Sequence, residues 1–194
     1  MRIAKGKGGK LSGPVNQVRI IGGDYRRRLL RFPPQAGLRP TPDRVRETLF
    51  NWLGQDLTGM RVLDTFAGSG ALGFEAASRH AVRVVMLEAS PRIVDGLVAN
   101  RTLLGAPQVE IIRADALLWL ARNAEVFDLV LLDPPFDSDL IKEAVPLAVE
   151  HLAPAGWLYV EQGRAAVAPE GFIIHRSGTA GQSHFALLKR ERNL

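Results

Sequence analysis

The sequence of 194 residues contains no cysteine. That absence excludes disulfides, cysteine-ligated zinc and iron–sulfur clusters. It also excludes a thiol nucleophile, including the covalent route some enzymes use at carbon 5 of pyrimidines. Long apolar runs are missing too. None approaches the roughly 20 residues of a membrane span, and no apolar segment follows the basic N-terminus as in a secretory signal. No membrane role is therefore expected, and a cytoplasmic location is. His80, His151, His175 and His184 show no metal-ligand spacing, so no metal site is expected.

What remains is a chain of ordinary apolar content, suited to one main domain with an appendage. Its net charge of +5 is unevenly spread. Residues 1–46 hold 12 of the 25 bases and only 2 of the 20 acids. A basic arm for a polyanion joined to an acidic body is the expectation. The boundary falls near residue 54, giving an RNA-binding extension over 1–54 and a catalytic domain over 55–194.

The first 17 residues are rich in Gly and Lys without periodicity. Val18–Ile21, then Gly22-Gly23-Asp24, then Tyr25–Phe32 read as a β-hairpin with arginines along its second strand. Arg19, Arg26, Arg27 and Arg28 offer phosphate-binding charge, and Tyr25 a face on which a base could stack. Ordinary strand packing is the alternative for Tyr25. After Pro33-Pro34 and a linker carrying Arg39, Thr41 reads as a helix N-cap with Pro42 at the first helical position. Val45, Leu49, Trp52 and Leu53 form its apolar stripe, while Arg44 and Arg46 fall on other faces, free to reach RNA.

From residue 60, strand-like runs near 62–64, 82–88, 109–115, 127–133 and 156–161 alternate with helical segments near 71–79, 91–104, 116–122 and 138–152. Two further strands, 171–175 and 183–189, close the chain as an antiparallel pair. Such alternation predicts an α/β, doubly wound, Rossmann-like parallel sheet.

Gly68, Gly70 and Gly73 follow the first of these strands in a G-x-G-x-x-G pattern, which lets backbone approach a ligand at a helix N-terminus. Asp64 ends that strand, where a nicotinamide cofactor would place its pyrophosphate. A carboxylate there repels phosphates and suits a cationic ligand, S-adenosylmethionine being the candidate. Glu88, Asp115 and Asp133 end three further strands. Glu88 lies 20 residues after Gly68, a spacing that suits ribose hydroxyls, and Asp115 could accept from an adenine amino group. For any one of these acids, a helix cap is the competing role.

Asp133-Pro134-Pro135-Phe136 carries the chemistry. Two prolines remove two backbone donors and stiffen the chain. The Asp133 carboxylate and the Pro134 carbonyl could then accept both hydrogens of an exocyclic amino group, with Phe136 stacked on the ring that bears it. Such acceptors stabilise the positive charge that grows on the nitrogen as it attacks a sulfonium methyl group.

These two motifs together resemble class I S-adenosylmethionine-dependent methyltransferases that act on exocyclic amines. Arg19–Gly23, Leu38–Asn51 and Phe66–Gly73 narrow the resemblance to the bacterial 16S ribosomal RNA (guanine-N2)-methyltransferase D family, over nearly the whole chain from about residue 18. The resemblance implies a seven-stranded, mostly parallel sheet with a C-terminal antiparallel hairpin and a small N-terminal hairpin and helix. It implies methylation of N2 of one guanine in 16S rRNA, on an assembled or nearly assembled small ribosomal subunit, by a monomer. Asp64, Phe66, Ala67, Gly68, Ser69, Gly70, Glu88, Asp115 and Ala116 are then expected at the cofactor, and Asp133 to Phe136 at the guanine. Arg19, Tyr25, Arg26, Arg27, Arg28, Arg39, Arg44 and Arg46 are expected at the RNA. Tyr25 and Arg27 depart from the family, which more often has Trp and Gly there. Other amino-group methyltransferases, acting on adenine N6 or protein glutamine, and a non-catalytic RNA-binding assembly factor are the alternatives.

Overall fold

The computed structural model of the protein describes residues 15–35, 40–135 and 139–191. Arg39, Phe136 and the basic residues of the first fourteen positions lie outside them. β1 (Asn16–Arg19) pairs antiparallel with β2 (Leu29–Phe32), Val18 standing opposite Leu30. The hairpin is real but its connection is longer than the glycine pair suggested. Tyr25, Arg26 and Arg27 lie in turns and Arg28 just before β2, so the expected run of arginines along the second strand is corrected to a run through the loop. The reason is local. The amides of Asp24 and Tyr25 bond to the carbonyl and hydroxyl of Ser78, each at 2.8 Å, and are lost to a ladder. Gly23 makes that approach possible, since a Cβ there would stand 1.8 Å from the Ser78 carbonyl oxygen.

Helix α1 (Asp43–Trp52) follows, capped at Pro42 with no side-chain bond. Beyond it run β3 (Arg61–Asp64), α2 (Ala71–Ser78), β4 (Arg83–Glu88), α3 (Pro91–Leu104), β5 (Val109–Arg113), α4 (Ala116–Arg122), β6 (Phe127–Leu132) and α5 (Leu140–Ala148). A 3-10 turn (Val149–His151) leads to β7 (Leu152–Gln162), β8 (Phe172–Ala180) and β9 (Ser183–Arg190). The seven-stranded sheet has the order β5-β4-β3-β6-β7-β9-β8. β3 to β7 are parallel, and β9 runs antiparallel between β7 and β8.

Side chains alternate across the sheet, as a strand buried on both faces requires. Val62, Val84, Met86, Leu129 and Leu131 face one core, shared with α1, α2, α3 and the N-terminal hairpin. Leu63, Val85, Leu87, Val130 and Leu132 face the other, under α4 and α5. Trp52 packs rather than binds, its ring stacked 5.4 Å from that of Phe185. The order of strands reverses between β3 and β6. In open α/β sheets ligands bind outside the carboxyl ends of the strands at that point.

Candidate active site at the switch point

Asp64, the last residue of β3, is 2 % exposed, and its Oδ2 accepts the Gly73 amide at 2.9 Å. That amide is one of the orphan donors in the first turn of α2, so the carboxylate acts as a remote cap. The bond needs glycine: a Cβ on Gly73 would lie 2.9 Å from the same oxygen and from Met86. Burial, and secondarily the charge of Glu88, push Asp64 up to about 7 against the opposing pull of the Gly73 amide. A buried carboxylate shifted this far is the kind of group that marks a functional site.

The loop between β3 and α2 is stitched to its neighbours by backbone. Thr65 donates its amide to Leu131 of β6 and Ala67 to Leu87 of β4. Glu88 spans the loop, accepting the Gly68 amide at 3.1 Å and the Ser90 amide at 2.8 Å. Ala67 and Ser69 are buried, and Ser69 Oγ accepts the Ala71 amide at 3.3 Å. Phe66 is half-buried against the second core. Thr65 Oγ1 is, among the described residues, the one buried side-chain polar atom without a partner. Asp115, beside the buried Ala116, caps α4 by accepting the Leu118 amide at 2.9 Å. Its capping role is thus present, and any ligand contact must share that carboxylate.

On the other side of the switch point Asp133 follows β6, half-buried, with Pro134 buried and Pro135 exposed. Asp133 Oδ2 accepts the Thr41 hydroxyl at 2.8 Å. Burial first, then the charges of Glu161 and Asp64, hold this carboxyl well above its usual range, and Thr41 opposes them. Glu161 of β7 is 1 % exposed and accepts from the Tyr159 hydroxyl at 2.7 Å and the Ser183 hydroxyl at 2.6 Å.

Thr41 and Glu161 were not among the expected site residues. Thr41 read as an N-cap, but Pro42 caps α1 and the hydroxyl is given to Asp133 instead. Glu161 carried a usable signal, since it too is an acid closing an apolar run. The rule that picked the other four applies to it unchanged.

The basic surface is divided. Arg26 and Arg27 are exposed and form no ion pair among the described residues. With Arg19 they border a cleft of about 360 Å³ that also touches Asp43 and Glu47. Arg19 pairs with Asp43 at 3.2 Å, Arg28 donates to the Leu103 carbonyl at 2.8 Å, and Arg44 is exposed. Tyr25 is half-buried against the first core and its hydroxyl accepts from Gln108 at 3.2 Å, which is the packing role rather than an open stacking face.

Arg46 must be corrected. Its side chain is wholly buried, 3.1 Å from Glu75 and 2.6 Å from Asp43, and it donates to the carbonyls of Thr41 and Arg19. It cannot reach RNA from there. Glu75 of α2, equally buried, also accepts the amides of Ile21 and Gly22 and pairs with Arg79 at 2.9 Å. A charge so far from solvent is tolerable only with such partners. The helix stripe placed Arg46 off the apolar face, but the hairpin covers that side as well. Among the described residues no group of three or more His, Asp or Glu could hold a metal ion, and no helix is long and apolar enough to cross a membrane.

The family model described as conserved hypothetical protein 95 matches residues 18–189. Ribosomal RNA small subunit methyltransferase D of Escherichia coli is 39% identical over 180 residues, 90% of this chain and 91% of that one. Its counterpart in Haemophilus influenzae is 41% identical over 173 residues, 85% and 90% of the two chains. The solved structure of the yhhF protein of Escherichia coli superposes with a TM-score of 0.82 at 39% identity, covering 92% of this chain and 100% of its own. The chain belongs to the small-subunit ribosomal RNA methyltransferase D family.

Proposed function

We propose that the protein transfers one methyl group from S-adenosylmethionine to the exocyclic N2 of a single guanine in 16S rRNA, on an assembled or nearly assembled small ribosomal subunit. The observation that carries this reading is the pair of carboxylates flanking the switch point. Asp64 is seated against the glycine loop and Asp133 is followed by two prolines. The names of the relatives support rRNA as the substrate.

The residues present fit the cofactor. Asp64 offers a buried acceptor to an ammonium group, and Glu88 offers two oxygens now on backbone amides to ribose hydroxyls. Thr65 Oγ1 adds an unpartnered buried hydroxyl in the same loop. The Phe66–Gly70 loop would hold the amino-acid end, with Asp115 and Ala116 at the base. When bound, the cofactor supplies an electrophilic methyl group on a sulfonium centre.

The chain itself orients and polarises the amine. Asp133 and the Pro134 carbonyl accept the two N2 hydrogens and favour a pyramidal nitrogen with its lone pair aimed at the methyl carbon. Thr41 holds the Asp133 carboxylate in place. Phe136 is proposed to stack on the guanine. Residues 1–54 serve as the RNA-binding extension of the catalytic domain 55–194, with Arg19, Arg26, Arg27, Arg28, Arg39 and Arg44 on phosphates. The enzyme is proposed to act as a cytoplasmic monomer.

Mass-spectrometric mapping of methylated nucleotides tests the proposal on small subunits, naked 16S rRNA and duplex DNA. One N2-methylguanine in the small-subunit sample is the expected result. Methylation of DNA alone would overturn the reading.

A further inference from the structure

Leu131 stands opposite Tyr159, and Leu132 opposite Val160, on the parallel pair β6 and β7. Asp133, just past the end of β6, and Glu161 of β7 are the next residue on each segment. That places them on the same side of the sheet as Leu131 and Tyr159 and within reach of each other's charge. Glu161 is buried, and both its oxygens accept hydroxyl hydrogens, from Tyr159 and Ser183. No cation pairs with it among the described residues. On β9 the residue opposite it is Phe185, which brings no charge. A carboxylate buried without a counter-ion is costly; burial raises the affinity of Glu161 for a proton, and the two hydroxyl donors favour the charged form against it. The uncompensated charge has one close acidic neighbour across the strands, Asp133.

Resting on the reading of Asp133 as the group that meets the guanine amine, the geometry points to Glu161 as a positioning residue. The negative charge that the Tyr159 and Ser183 hydroxyls stabilise on it makes Asp133 the acceptor of the proton the amine must release. The step balances as follows in atoms and charge. The N2 lone pair forms the bond to the methyl carbon as that carbon's bond to sulfur breaks, its electron pair staying on sulfur. The nitrogen then carries a positive charge and passes one proton to the Asp133 carboxylate. Asp133 becomes a neutral acid and returns that proton to water once the product has left.

The surroundings agree with this direction. Burial, Glu161 and Asp64 all raise the affinity of Asp133 for a proton, with Thr41 alone opposing. Burial also raises the affinity of Glu161 for a proton, and the hydroxyls of Ser183 and Tyr159 offset part of that rise.

Glu161→Gln keeps the shape and removes the charge, its amide able to accept one hydroxyl and donate to the other. Titration of Asp133 by carboxyl ¹³C NMR in the ligand-free protein is expected to move down by about one pH unit or more. On small subunits kcat is expected to fall about tenfold with KM within about twofold, and the acidic limb of kcat/KM to move down with the titration. Glu161→Asp should restore most of both. An Asp133 titration unmoved by Glu161→Gln overturns the inference, even if activity is lost. Should that variant not fold, Ser183→Ala weakens the charge of Glu161 and must give a smaller shift of the same sign. No shift there also overturns it. A wild-type enzyme that methylates no RNA would sink the proposed function alone, because the titration is read without substrate.

Discussion

Thr41 Oγ1 donates a 2.8 Å hydrogen bond to Asp133 Oδ2, joining residues 92 positions apart. The bond ties the head of α1, next to the N-terminal hairpin, to the loop proposed to hold the guanine. A hydrogen bond to a charged group contributes about 1.5–3 kcal/mol. Thr41→Val should therefore lower kcat on small subunits by about tenfold. Its affinity for S-adenosylmethionine, read by calorimetry, should stay within about twofold, and Thr41→Ser should behave as wild type. A loss in Thr41→Ser with Thr41→Val left at wild-type activity would show that the methyl group matters and the hydroxyl does not.

Asp64 sets a pH dependence whose sign is unusual for a carboxylate. Its folded value is raised from 3.8 to about 7, so between those limits the folded protein holds a proton that the unfolded chain has released. Stability of the ligand-free protein is then greatest below the unfolded value and is lost as pH rises toward 7, by about 1.4 kcal/mol per pH unit for each such group. Asp133, also raised, adds to the same slope. Urea unfolding at pH 5, 6 and 7 should show the decline, and Asp64→Asn should remove one proton's share of it. Affinity for the cationic cofactor should run the other way and rise as Asp64 ionises. A stability that grows over this range would refute the assignment.

The alternating strands and helices were legible because strands covered on both faces must be apolar and the helices between them amphipathic. Asp64, Glu88 and Asp133 were legible for a related reason: an acid that closes an apolar run stands at the sheet edge whatever the details of packing. What could not be read was pairing between distant segments. The turn at Gly23 looked like a two-strand hairpin because the sequence does not show Ser78 taking its amides. Arg46 looked solvent-facing because α1 was read with one buried side, whereas the hairpin and Glu75 close a second. Thr41 satisfied the local rule for a cap and was used for Asp133 instead. In each of these three cases a polar group has a partner more than 25 residues away.

The buried cluster around Glu75 makes a second stability prediction. Its carboxylate receives two backbone amides from the hairpin connection and guanidinium groups from Arg46 and Arg79. Removing one partner of a buried pair leaves uncompensated charge, at a cost of about 3–5 kcal/mol. Glu75→Ala strands two arginines and two amides, so chemical denaturation should place its loss at or above that range. Arg46→Met should cost less, because Arg79 still faces Glu75. If Arg46→Met proved the worse of the two, Glu75 would not be the centre of the cluster.

Arg27 allows stability and RNA binding to be separated. Its φ of +69° lies in the left-handed region, which costs an ordinary side chain about 1–2 kcal/mol. The conformation is held by the bond from its amide to the Ile20 carbonyl at 2.9 Å. It also leaves the guanidinium exposed at the rim of the arginine cleft beside Arg19 and Arg26. Strain kept at such a place is consistent with a binding role. Arg27→Gly should relieve the strain, and since glycine also loosens the unfolded chain the net gain is at most about 1 kcal/mol. The same change should weaken binding to small subunits and reduce the slope of log affinity against log salt by about 0.7–0.9, one phosphate contact. Arg26→Ala should weaken binding similarly with no gain in stability. A stabilised Arg27→Gly protein that binds RNA with an unchanged salt slope would remove Arg27 from the interface and leave its backbone conformation without a functional reason.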